Sequence, residues 1–116
     1  MLSVGIVGAG LRGRLFADAL RDQPGVRVAG FAEPSPAAAE SARAATNLPV
    51  WPSDTAMLEE LDPDAVIVAT PDFAHREVAV HVAAAGKHML IEKPLATTLG
   101  DARAIADAMR EELPLA

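Results

Sequence analysis

The strongest constraint on this chain is the run Gly8-Ala9-Gly10-Leu11-Arg12-Gly13. It matches G-x-G-x-x-G, a spacing that is weak alone and gains force from its context. Here it directly follows a short apolar run, Leu2 to Val7, and opens a stretch with helical spacing. In that setting Gly8 permits a tight turn, Gly10 lets the backbone approach a pyrophosphate, and Gly13 lets helix and strand pack closely. The phosphates would then meet free N–H groups at the positive end of the helix. Ala9, Leu11 and Arg12 complete this binding turn, and Arg12 lies where it either reaches a phosphate or stands as a surface arginine.

The rest of the chain supplies the setting that the motif requires. Short β-branched runs alternate with longer alanine-rich stretches. Strands are expected at Leu2 to Val7, Val26 to Ala32, Val50-Trp51, Ala65 to Ala69 and His88 to Ile91. Helices are expected at Leu11 to Arg21, Pro34 to Thr46, Asp54 to Leu61, Phe73 to Ala85, and from a cap at Thr97 or Thr98 to about Glu112. Leu11, Leu15, Phe16, Ala19 and Leu20 form the apolar spacing of the first helix. Gln23-Pro24-Gly25 ends it, Ser53 or Asp54 caps the third, and Gly86 stands at the C′ position of the fourth. Strands alternating with helices imply parallel pairing through right-handed crossovers. The fold class is therefore α/β: a Rossmann-type doubly wound parallel sheet of about five strands with helices on both faces.

Glu33 ends the second strand, about 20 residues beyond the glycine loop, where the dinucleotide fingerprint places an acid. A carboxylate there accepts hydrogen bonds from the adenosine ribose and repels a 2′-phosphate, so NAD is favoured over NADP. The bland alternative is an acid near a helix start, interacting with the dipole.

Composition narrows the remaining classes. Three Phe, one Trp and no Tyr leave little material for stacking bases, and a net charge of −6 argues against a phosphate backbone as partner. With no cysteine, thiolate chemistry, disulfides and Cys-based metal sites are excluded. No metal site is expected. No segment approaches the ~20 apolar residues that span a bilayer, and the N-terminus lacks a signal-peptide pattern. A cytoplasmic protein is expected, with neither nucleic acid nor membrane as partner.

Two further motifs are more specific than the loop. Ala69-Thr70-Pro71-Asp72-Phe73-Ala74-His75 follows the fourth strand, and Gly86-Lys87-His88-Met89-Leu90-Ile91-Glu92-Lys93-Pro94-Leu95-Ala96 covers the fifth strand and its exit. With the loop and Glu33, they resemble the N-terminal domain of the glucose–fructose oxidoreductase/inositol dehydrogenase/rhizopine catabolism family (Gfo/Idh/MocA) over essentially the whole chain. The resemblance implies a domain that binds NAD or NADP and works with a second α/β domain on a sugar, cyclitol or related polyol by hydride transfer. It implies that Lys93, between Glu92 and Pro94, is the catalytic lysine beside the nicotinamide. It further implies that Pro94 follows a cis peptide aiming Lys93 into the cleft, and that Thr70 and Pro71 line the nicotinamide-side phosphate and ribose. Asp72 stands where the family pattern more commonly has Asn. His75 matches the family histidine, and its bland reading is a residue that caps or packs. His81 and His88 match no family role.

The proton-transferring histidine of the family lies in the second domain, so no general base is assigned here. The expectation is one dinucleotide-binding domain, residues 1–116, truncated before a sixth strand near Leu113-Pro114-Leu115 and lacking the C-terminal substrate domain. The chain alone is expected to bind nucleotide without turnover. A free sheet edge and uncovered apolar surface would favour self-association, most simply as a two-fold homodimer. Two other readings remain: a non-catalytic NAD(H)-binding or assembly module, with a separate substrate domain as one partner, and a methyltransferase using S-adenosylmethionine, which would give Glu92-Lys93-Pro94 no purpose.

Overall fold

The computed structural model describes residues 1–112. Five parallel strands form one sheet in the order β3-β2-β1-β4-β5. They are β1 (Leu2–Val7), β2 (Val26–Ala32), β3 (Val50–Trp51), β4 (Ala65–Val68) and β5 (His88–Ile91). Helices α1 (Leu11–Leu20), α2 (Pro36–Thr46), α3 (Asp54–Leu61) and α4 (His75–Ala84) connect them, and α5 (Leu99–Glu112) follows β5. The chain winds outward from β1 to β3, then returns to lay β4 on the other side of β1. This is the expected Rossmann arrangement. Its order reverses between β1 and β4, and a crevice opens outside the carboxyl ends of the strands at such a switch point.

Alternation along the strands divides the core into two layers. Val4, Ile6, Phe31 and Ile67 pack with Ala17 of α1 and Ala39 and Ala42 of α2. Val7, Val66 and Val68 pack on the other face with Met57 of α3 and Val78 and Val82 of α4. Helices α1 and α2 meet the sheet through glycine and alanine, whereas α3 and α4 do so mainly through Met57, Leu58, Val78 and Val82. Phe31 and Met57 are the large side chains that fill the two layers, both fully buried.

Several boundaries differ from the sequence expectation. Helix α2 starts at Pro36 rather than Pro34, because the Ser35 hydroxyl accepts the Ala38 N–H and so caps the first turn. The stretch from Phe73 is a 3₁₀ turn, Asp72–Ala74, and α4 proper spans His75–Ala84. Arg21 caps α1 rather than extending it, and β4 closes at Val68. The apolar stripe expected on α1 is only half used. Gly13 and Ala17 face the core with Phe16 and Leu20 beside them, whereas Leu11, Leu15 and Ala19 are exposed, Leu11 by 75%. Helix-to-sheet contact at Gly13 is too close for a leucine-lined face. Of the two candidate caps for α5, Thr98 serves, its hydroxyl accepting the Asp101 N–H at 3.0 Å. The expected sixth strand near Leu113 falls outside the described residues.

Candidate dinucleotide-binding site

Backbone hydrogen bonds continue the sheet by one residue past four of the five strands. Glu33 N–H donates to Trp51 O, Gly8 N–H to Ala32 O, Ala69 N–H to Val7 O and Glu92 N–H to Val68 O, at 2.8–3.1 Å. The exits of β2, β1, β4 and β5 are therefore held in one row, and that row carries the residues singled out by sequence.

The glycine loop sits at its centre. Gly8 has φ +104°, and a Cβ there would lie 2.7 Å from Ala69 O. A Cβ on Gly13 would lie 1.8 Å from Gly8 O, so only glycine lets α1 start this close to β1. Gly10 is different in kind: a Cβ there meets nothing within 4 Å and would project into open space. Gly10 is the N-cap of α1 and no side chain caps the helix, so its first-turn N–H groups have no side-chain acceptor.

Glu33 is oriented by the loop it faces. One carboxylate oxygen accepts the Ala9 N–H at 2.9 Å and the other accepts the Ser35 N–H at 3.1 Å. An ionised carboxylate has about four lone-pair sites, so room remains for other donors. Beside it opens a cleft of about 630 Å³ lined by Gly8, Gly10, Leu11, Arg12, Glu33, Thr70 and Pro71, with Pro34, Ala69, Phe73 and Ala74 completing the wall. That volume suits a sizeable small molecule. Phe73 was missed as a site residue because its position reads as a helix start; it stands 74% exposed at the rim. Thr70 Oγ1 is buried and makes no hydrogen bond. Buried hydroxyls are normally partnered, so this atom lacks an acceptor or donor that a ligand can supply.

The remaining site residues are arranged less directly. Arg12 Nη2 donates to both oxygens of Glu92 at 2.8 Å, joining the phosphate loop to the β5 exit. The Lys93–Pro94 peptide is cis. Lys93 itself is exposed, and neither it nor Pro94 lines the cleft. His75 is buried to 1% exposure beneath the cleft wall; its backbone N–H closes the Asp72–Ala74 turn on Asp72 O, while its side chain caps no helix. Its ring nitrogens face two backbone carbonyls, Leu95 O from Nδ1 and Thr70 O from Nε2, each at 3.0 Å. Of the unmatched histidines, His81 contacts Asp54 through Nδ1 at 2.8 Å, bridging α3 and α4 away from the cleft. Among the described residues no group of three or more His, Asp or Glu is placed to hold a metal, and no helix is long and apolar enough to cross a membrane.

Residues 2–113 match the Gfo/Idh/MocA oxidoreductase family, described by its NAD-binding Rossmann fold. The chain belongs to that family. An inositol 2-dehydrogenase/D-chiro-inositol 3-dehydrogenase from Lacticaseibacillus casei is 36% identical over 110 residues, covering 92% of this chain and 32% of the relative. Among solved structures, the WlbA dehydrogenase from Bordetella pertussis, in complex with NADH and UDP-GlcNAcA, superposes with a TM-score of 0.90 at 30% identity. The match covers 96% of this chain and 34% of the other. A biliverdin reductase from Synechocystis sp. PCC 6803, in complex with biliverdin and NADP+, superposes with a TM-score of 0.87 at 27% identity, covering 96% and 34%. The chain thus spans about a third of the length of the relatives it matches, and the two solved structures hold NADH and NADP+ respectively.

Proposed function

We propose that residues 1–116 form the dinucleotide-binding domain of a Gfo/Idh/MocA oxidoreductase that prefers NAD(H) to NADP(H) and acts on a sugar, cyclitol or related polyol. Glu33 carries the cofactor preference. Its carboxylate is fixed against Ala9 at the lip of the cleft with lone pairs left for ribose hydroxyls. A 2′-phosphate would meet that charge, and Arg12, which lines the same cleft, is bound to Glu92 instead. The open space beyond Gly10 and the unpartnered Thr70 hydroxyl fit a pyrophosphate and its flanking ribose. Calorimetric titration with NAD and NADP tests the reading. Tighter NAD binding is expected, narrowed by Glu33→Ala; equal or tighter NADP binding overturns the preference, and binding of neither overturns the assignment.

When bound, a nicotinamide supplies the hydride donor or acceptor. In this reading the Lys93 ammonium orients the reacting hydroxyl and stabilises negative charge developing on its oxygen. Proton transfer and substrate recognition belong to the two-thirds of the relatives that this chain does not span. The purified chain should therefore bind nucleotide but form no NADH from inositol or glucose, and steady NADH production would refute this. A cytoplasmic setting belongs to the same reading and rests on the cysteine-free composition. So does self-association as a homodimer, supported by β5 at the end of the sheet order and by Leu90, 56% exposed on it. A monomer mass by light scattering at high concentration would exclude it.

A further inference from the structure

We infer that His75 is a positioning residue that sets the spacing between the Thr70 loop, which lines the cleft, and the Lys93–Leu95 loop, which carries the lysine proposed to act beside the nicotinamide. The cofactor half of this statement rests on the proposed function; the structural half does not. His75 is the one buried polar or charged side chain among the described residues. It is the first residue of α4, so the helix packed behind the site holds it rigidly. Both of its polar atoms are committed to main chain, and to two segments 20 and 5 residues away: Leu95 O and Thr70 O, each at 3.0 Å. Both partners are carbonyl oxygens, so in either tautomer the ring N–H donates to one loop while the second ring nitrogen lies against the other.

This makes the ring a spacer rather than a ligand. β4 and β5 are hydrogen-bonded up to Glu92 N–H on Val68 O; beyond that point the sheet no longer fixes their exits. The imidazole spans the gap with a rigid planar group whose two nitrogens face the two loops. One loop carries the unpartnered Thr70 hydroxyl, while the other carries Lys93. Their separation decides whether a nicotinamide riboside fits between them.

Amide side chains separate the two contacts. The nitrogen of Asn mimics Nδ1, and that of Gln mimics Nε2. His75→Asn should keep the Leu95 contact and release Thr70, while His75→Gln should do the reverse. The reporters are the amides of Ala74, bonded to Pro71 O, and of Asp101 and Ala102, bonded to Thr98. In His75→Asn the Ala74 amide should exchange about fivefold faster, the equivalent of one net hydrogen bond, with Asp101 and Ala102 unchanged; His75→Gln should reverse the pattern. His75→Phe should accelerate both. Uniform acceleration across the sheet, or none in either amide variant, overturns the brace. Titration with NADH and with AMP, which lacks the nicotinamide-side phosphate, ribose and ring, reads the cofactor half. Both amide variants should weaken NADH about fivefold and leave AMP within about twofold, the scale of one misplaced hydrogen bond. Unchanged NADH affinity in folded variants overturns the positioning role. If wild type binds neither ligand, the proposed function fails, while exchange still decides the brace.

Discussion

Arg12 and Glu92, 80 residues apart, meet through one guanidinium nitrogen that contacts both carboxylate oxygens at 2.8 Å. The pair closes across the switch point from the phosphate loop to the residue before Lys93. Arg12 is 64% exposed and Glu92 19% exposed at their side chains, so water screens the interaction from one side only. A double-mutant cycle with Arg12→Met and Glu92→Gln, followed by urea unfolding, should give a coupling of about 1 kcal/mol that shrinks in high salt. Zero coupling at low salt would mean that the contact does not tie the two loops together.

The loop glycines separate folding from binding. Gly13→Ala puts a methyl 1.8 Å from Gly8 O, where only backbone can give way, so it should destabilise the chain by about 3 kcal/mol. Gly10→Ala meets no atom and should change stability by less than about 1 kcal/mol, the range for an N-cap glycine. Yet Gly10→Ala should lose most dinucleotide affinity, since its methyl would occupy the approach to the α1 N-terminus. Paired melting and calorimetry on the two variants check this; full NAD affinity in Gly10→Ala would show that the phosphates sit elsewhere.

Thr70 should trade stability for binding. Its buried hydroxyl has no partner in the free protein, so Thr70→Val should raise stability by about 1 kcal/mol. The same change should weaken NAD binding, because the oxygen is then unavailable to the cofactor. A variant that is both less stable and equally tight would show that the hydroxyl has a partner already.

Glu33 carries a structural duty as well as its proposed ribose contact. Its oxygens hold the Ala9 and Ser35 N–H groups, so Glu33→Ala should cost about 2 kcal/mol even without nucleotide, the scale for hydrogen bonds to a charged acceptor. Glu33→Gln retains an acceptor oxygen for one N–H and should recover part of that loss. Chemical denaturation of the three proteins measures it. A stability unchanged in Glu33→Ala would leave the carboxylate free for the ligand alone.

Much of this arrangement is legible in the chain itself, because it depends on local chemistry. Apolar strand runs of four to seven residues, helix caps such as Ser53 and Thr98, and positive-φ glycines such as Gly8 and Gly86 act over a few residues and can be read in order. The spacing from the glycine loop to Glu33 is equally readable, since a single βαβ unit sets it. Contacts between distant segments are another matter. Which face of α1 is buried was decided by the approach of Gly13 to Gly8 O, so Leu11 and Leu15 face outward despite their helical spacing. In the chain Arg12 reads as a phosphate ligand or a surface arginine, and only the adjacency of β1 to β4 and β4 to β5 puts Glu92 beside it. His75 reads as a helix-start histidine in the chain and becomes a spacer only once two loops converge on its ring. Local propensity and glycine geometry are properties of neighbouring residues; pairing across the sheet exists only after the chain has crossed over it.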